Sequence, residues 1–117
     1  MSEIDQDTLS TLITMLDKNM VNEVRLVFEK DCQEKMASLE SAWVQQDLVT
    51  VAEICHALKS SSGNLALLSL SKNFETLEKD ARKAHTEHLP LANNLNAIKA
   101  HVSRALSELN TYFQQMP

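Results

Sequence analysis

Residues 20–46 read MVNEVRLVFEKDCQEKMASLESAWVQQ, and their spacing decides the fold. Val21, Val24, Val27, Phe28, Cys32, Met36, Leu39 and Trp43 stand 3, 3, 1, 4, 4, 3 and 4 positions apart. That is the period of one face of an α-helix, not the alternation of a strand. No glycine or proline interrupts the run, so one long amphipathic helix is predicted over it. Upstream, Leu9, Leu12, Ile13 and Leu16 repeat the pattern over a shorter length. Asp5, three residues before Thr8, is placed to cap this helix, which spans about 5–17. Downstream of Gln46-Asp47 come two further sets, Val51, Ile54, Cys55, Leu58, Ser62 and Leu65, then Leu67, Leu70, Phe74, Leu77, Ala81 and Ala84. The second of these stops at His85-Thr86-Glu87-His88-Leu89-Pro90, where the proline suits the start of a new helix. Leu91, Leu95, Ile98, Val102, Ala105, Leu109 and Phe113 carry the final stripe.

Composition agrees. The chain has 117 residues, one glycine and two prolines, too few turn formers for an all-β fold, so the class is all-α. Four long amphipathic helices on short connections must bury their stripes against one another. The expected architecture is an antiparallel up-down four-helix bundle over about 20–114, with the helix at about 5–17 capping one end, all in a single domain, 1–117. No apolar face is left over, so a monomer is expected. A single glycine cannot build a phosphate loop or a dinucleotide fingerprint, which excludes those nucleotide folds. A net charge of −5 disfavours nucleic acid as a partner. The acidic start, Met1-Ser2-Glu3-Ile4-Asp5-Gln6-Asp7, lacks the basic opening of a secretory signal, and the longest apolar run is only Leu65 to Leu68. A cytoplasmic protein without membrane association is expected. Cys32 and Cys55 fall on apolar stripes and are read as reduced core thiols, not a disulfide framework.

One residue points the wrong way. At about 100° per residue, Val51, Ile54, Cys55, Leu58, Ser61, Ser62 and Leu65 share an arc of roughly 120°, and His56 falls roughly 150° from its centre. The imidazole is therefore expected to face water, flanked by Ala52, Lys59, Ser60 and Gly63. These neighbours are small where a solvent face would ordinarily carry Glu, Lys and Gln. The only glycine of the chain is among them, although glycine costs about 0.5–1 kcal/mol inside a helix. Such terrain fits the close approach of something large. Histidine is a nucleophile near neutral pH, and Lys59 one turn on supplies a charge that can neutralise a phosphoryl group on the ring.

The run His56-Ala57-Leu58-Lys59-Ser60-Ser61-Ser62-Gly63-Asn64-Leu65, followed by Leu70, Phe74, Leu77 and Glu78, resembles the signature of histidine phosphotransfer (HPt) domains. The likeness spans about Met20 to Phe113 and is closest to short single-domain bacterial members, those of vibrio quorum sensing among them. It implies a helical phosphorelay carrier, not an enzyme, that shuttles phosphoryl groups between aspartates of receiver domains in hybrid sensor kinases and response regulators. It implies His56 as the phosphoacceptor, through Nε2, and Lys59 as the basic residue three positions on. Mg²⁺ and the acidic site then belong to the partner, and the chain itself needs no cofactor. Ser60 stands where the family often has glycine, and Ala66 where glycine usually opens the hairpin, which leaves Asn64 or a tight turn to end the helix.

Rival readings are weaker. A histidine-kinase dimerisation helix would place an acidic residue and a proline where Ala57 and Ser61 stand. His85 and His88 have metal-compatible spacing but lack a third ligand, so no metal site is expected. His101 is assigned a half-exposed boundary and no chemistry, and Trp43, Met15, Met20 and Met36 are assigned to core filling. The alternative from another class is a non-catalytic bundle that binds a partner protein without phosphorylation. That reading leaves unexplained why an exposed histidine has small neighbours and a lysine beside it.

Overall fold

The structure, a computed structural model, describes residues 3–115. Among them are five helices and no strand: α1 Gln6–Leu16, α2 Lys18–Val44, α3 Leu48–Asn64, α4 Leu68–Glu87 and α5 Leu95–Gln114. Asp5, Asp17, Asp47 and Asn94 cap α1, α2, α3 and α5, each accepting from a backbone N–H three residues on. Such a cap is worth about 1 kcal/mol. Asn94 also explains why α5 begins five residues after Pro90 and not at it. The proline offers only a fitted φ, whereas Asn94 satisfies an orphan N–H of the first turn, and Leu89 to Asn93 remain a connection.

Three helix ends share a closure that the sequence did not advertise. Gln46, Ala66 and His88 have φ of 53°, 63° and 56°. Beyond each, a backbone N–H reaches back five residues: Asp47 to the Ala42 carbonyl, Leu67 to Ser62 and Leu89 to Ala84. This is the Schellman closure, usually built on glycine. Its left-handed residue costs an L-amino acid about 1–2 kcal/mol. Ala66 itself therefore turns the chain between α3 and α4, and α4 extends past Ala84 to Glu87.

Helix α3 pairs with α4, and α2 packs against α3 and α5, α4 against α5, and α1 against α2. His56 meets Glu78 and Gly63 lies against Ser71, so the α3 and α4 helices of this hairpin run in opposite chain order. Leu9, Leu39, Val51, Leu58, Leu65, Leu67, Leu70, Phe74, Ile98 and Leu109 are among the buried side chains of the core. Cys32 and Cys55 lie there as free thiols, and burial pushes them up to about 11 and about 12. The molecule measures 51 × 23 × 21 Å, and its 6898 Å² of surface reflects that elongation. A chain of this mass in rounder form would expose about 6,400 Å².

The α2 stripe is narrower than its periodicity implied. Val24 and Val27 are exposed, and Arg25 is buried instead. The guanidinium is satisfied from several sides: it donates to Asn22 and Asn110, faces Glu29 and lies 5.2 Å from the Phe113 ring centroid. Trp43 is buried and Met36 packs partly against the core, but Met15 and Met20 are exposed near the α1–α2 junction. His101 is not a half-exposed boundary residue. It is buried, with Nε2 2.8 Å from Glu3 Oε2 and Nδ1 2.9 Å from Asn73 Nδ2. Together with buried Ile4 and a bond from the Asp5 N–H to the Ala66 carbonyl, this ties the N-terminal segment to α5 and to the α3–α4 turn.

Candidate functional site

His56 lies midway along α3, and its side chain is 59 % exposed. Position alone would leave the ring free to rotate, but α4 holds it. Nδ1 sits 3.1 Å from Glu78 Oε2 and 3.2 Å from Oε1. An ionised carboxylate can only accept, so this contact puts the proton on Nδ1 and leaves the lone pair of a neutral ring on Nε2.

Glu78 is held in turn. Its side chain is 11 % exposed at the edge of the α4 apolar stripe, where an unpaired carboxylate would be costly. Arg82, one turn on, donates Nη2–H and Nε–H to Oε2 at 2.8 and 3.2 Å. Lys59 Nζ stands 3.6 Å from Oε1. The Arg82 hydrogen bonds hold the Glu78 carboxyl below the usual carboxylate range, and His56 and Lys59 add to this against the opposing effect of burial. The group is therefore a carboxylate throughout the neutral range.

The predicted residues divide. His56 and Lys59 come together through Glu78. Lys59 does not extend into solvent, since its side chain is only 28 % exposed and leans across the α3–α4 seam. Ser60 is exposed on the His56 side of α3. Ala52 was expected on the open surface, but it is fully buried. The helix turns it into the seam, where Leu48, Val49, Arg82, His85 and Thr86 line a shallow depression around it. It can serve docking only by keeping that seam thin. Gly63 is partly exposed in the last turn of α3, where an added Cβ would meet Ser71 Oγ at 3.4 Å, an ordinary contact. The same hydroxyl donates to the Lys59 carbonyl at 2.8 Å and fixes α4 against the turn that carries Lys59.

Sequence reasoning gave no role to Glu78 or Arg82. A signal existed in a carboxylate adjoining Leu77 within the Phe74–Ala81 stripe, but its partner lies 22 residues away on another helix. Among the described residues, no group of three or more His, Cys, Asp or Glu could hold a metal ion. None of the described helices is long and apolar enough to cross a membrane.

Fold and site together describe a helical bundle that presents an exposed histidine, its ring held by a carboxylate that Arg82 and Lys59 hold in turn. The Hpt domain family model matches residues 23–112, and the chain belongs to the Hpt domain family. Members of this family are phosphocarrier modules of phosphorelays that interact with receiver domains. No curated protein and no solved structure matches the chain.

Proposed function

We propose that this chain carries a phosphoryl group on Nε2 of His56, accepting it from a receiver-domain aspartate and passing it to another. The observation that carries the reading is the Nδ1 contact to Glu78, which points a lone pair at solvent from a fixed ring. In the forward step, Nε2 attacks phosphorus in line, the bond from phosphorus to the aspartate oxygen breaks, and its electron pair returns to the carboxylate. The ring keeps its Nδ1 proton and becomes a cation, which Glu78 faces directly. Transfer onward reverses the order, and a ring protonated at Nδ1 leaves as neutral imidazole.

Lys59 supplies charge to the phosphoryl group as it arrives. It can swing from Glu78 because Arg82 remains on the other carboxylate oxygen. Positioning and neutralisation account for most phosphoryl-transfer catalysis, and the partner supplies Mg²⁺ and the acidic pocket. Ser60 and Gly63 keep the approach to His56 low. A non-catalytic interaction module would leave the oriented ring without a role.

In this reading residues 1–117 form one domain, an antiparallel up-down four-helix bundle of α2 to α5 with α1 at one end, acting as a cytoplasmic monomer. Contacts of α2 with α5 in opposite chain order, Arg25 with Asn110 and Glu40 with Lys99, support that topology. The likeness of the His56–Leu65 run to short single-domain members, those of vibrio quorum sensing among them, supports reading the chain as a carrier of that kind.

The test is labelling with phosphate from a phosphorylated receiver. An acid-labile, base-stable adduct is expected on the unmodified chain and on the His85→Gln and His88→Gln variants. None is expected on His56→Gln, and a retained label there overturns the assignment.

A further inference from the structure

We infer that the Ser60 hydroxyl donates a hydrogen bond to the phosphoryl group carried on His56, which makes Ser60 a phosphoryl-binding residue on the side of the ring away from Lys59. The inference rests on the phosphocarrier reading. Ser60 is exposed and follows His56 by four residues on α3. Residues at that spacing are neighbours, with Cβ atoms about 5–6 Å apart, and helical side chains lean toward the N-terminal end of their helix. The Ser60 hydroxyl therefore stands over the turn that carries the imidazole.

The reacting nitrogen is aimed at the same flank of α3. Lys59 and Gly63 mark the flank that faces α4, since Lys59 reaches Glu78 and Gly63 lies against Ser71. At about 100° per residue they fall roughly 60° and 20° to one side of His56, and Ser60 falls roughly 40° to the other. Glu78 draws Nδ1 toward α4. Nε2 lies across the ring from Nδ1, so a group bonded to it projects away from α4, over the side of α3 on which Ser60 stands.

The hydroxyl is also unspent. A serine inside a helix is able to donate to the carbonyl four residues back, as Ser61 does to Ala57 at 3.1 Å. Ser60 has no such bond, and among the described residues no other group takes its proton. The other exposed α3 residue within one turn of His56 on this flank is Glu53, whose carboxylate only accepts and repels a phosphoryl dianion. Lys59 approaches from the opposite flank, where it leans on Glu78. The Ser60 hydroxyl is thus the donor that α3 offers to a phosphoryl oxygen on the side away from α4.

Such a bond exists in the phosphorylated chain and not in the free one, so it shifts phosphoryl exchange with a receiver toward the chain. The equilibrium ratio depends on the free energies of the phosphorylated and unphosphorylated proteins, not on how tightly the two dock. The experiment uses the whole chain and a receiver domain that exchanges phosphate with it, chosen from a panel of purified receivers. Label is brought to equilibrium from both directions at equal, dilute concentrations. Ser60→Ala and Ser60→Gly are each expected to lower the ratio of phosphorylated chain to phosphorylated receiver about fivefold, the size of one net hydrogen bond. Ser60→Thr keeps a hydroxyl and is expected to stay within twofold of the unmodified chain.

The position is exposed and alanine is the better helix former, so Ser60→Ala is expected to keep the helical fold, read by circular dichroism. An equilibrium ratio unchanged in both Ser60→Ala and Ser60→Gly overturns the inference. So does an equal loss in Ser60→Thr, which would detach the effect from the hydroxyl. Faster transfer by Ser60→Gly at low receiver concentration, with the ratio unchanged, would assign Ser60 to docking alone and also overturn it. A panel in which no receiver labels the unmodified chain overturns the phosphocarrier reading itself. A labelled chain whose equilibrium is indifferent to Ser60 overturns only this inference.

Discussion

Replacing Glu78 tests the site at the point on which its chemistry depends. In Glu78→Ala the His56 ring loses the acceptor 3.1 Å from Nδ1, so it rotates freely and exchanges its proton between nitrogens. Removing a group that orients a functional imidazole typically costs about 10- to 100-fold. That range is expected for the initial rate of transfer from a phosphorylated receiver, and for phosphoramidate labelling as well, because both need the lone pair on Nε2. Glu78→Gln keeps an oxygen able to accept from Nδ1 but removes the charge, so its loss should be smaller, about tenfold or less. Stability should change little. The cations left behind, Arg82 and Lys59, have side chains 56 % and 28 % exposed and can reach water. A cost of about 1 kcal/mol is expected from the lost hydrogen bonds. Its pH dependence has a definite sign. Glu78 is held below the ordinary carboxylate range, chiefly by Arg82, so its contribution is present above its unfolded value of about 4.3 and is lost as pH falls through the folded value. The stability gap between the unmodified chain and Glu78→Gln should therefore be full at pH 7 and close in acid below about pH 4. Melting curves at several pH values and transfer rates at pH 7 measure both effects. A folded Glu78→Ala protein that transfers at the unmodified rate refutes the orienting role.

Four further outcomes are expected. Lys59→Ala should slow receiver-dependent transfer about tenfold or more and shift stability by no more than about 1 kcal/mol, read by transfer kinetics and denaturant titration. Gly63→Ala should raise stability by up to about 1 kcal/mol, since its Cβ meets Ser71 at ordinary distance, whereas Gly63→Gln should slow receiver-dependent transfer and spare phosphoramidate labelling. A large fall in the melting temperature of Gly63→Ala would show that the glycine is kept for helix packing. Ser62→Ala should stabilise the chain by about 1 kcal/mol, because the Ser62 hydroxyl is buried without a hydrogen-bond partner and alanine is the better helix former. His88→Gly should also stabilise it by about 1 kcal/mol, because the left-handed position suits glycine and the exposed imidazole gives up no core contact.

What could be read in the sequence was local. The periodicity of residues 20–46 demands a helix because spacing along one helix needs no knowledge of its neighbours, and Asp5 is placed to cap α1 for an equally local reason. The same periodicity grouped Val24 and Val27 with the core, although both lie at the margin of the buried α2 arc and are exposed. Nor could it bury Arg25, whose partners Asn110 and Phe113 lie at the far end of the chain. Gln46, Ala66 and His88 show the limit from a different side. Without glycine, a left-handed turn carries no residue signature, and the backbone accepts its cost because each turn closes two carbonyl groups at once. His56 was legible because it is an exception within one helix, a reactive side chain opposite the apolar arc. The role of Glu78 was not, although the residue stands in the family signature, because a carboxylate at the edge of an apolar face acquires meaning only from what stands opposite. The nucleophile is thus visible in the sequence of α3, but the choice of which nitrogen reacts belongs to the pairing of α3 with α4.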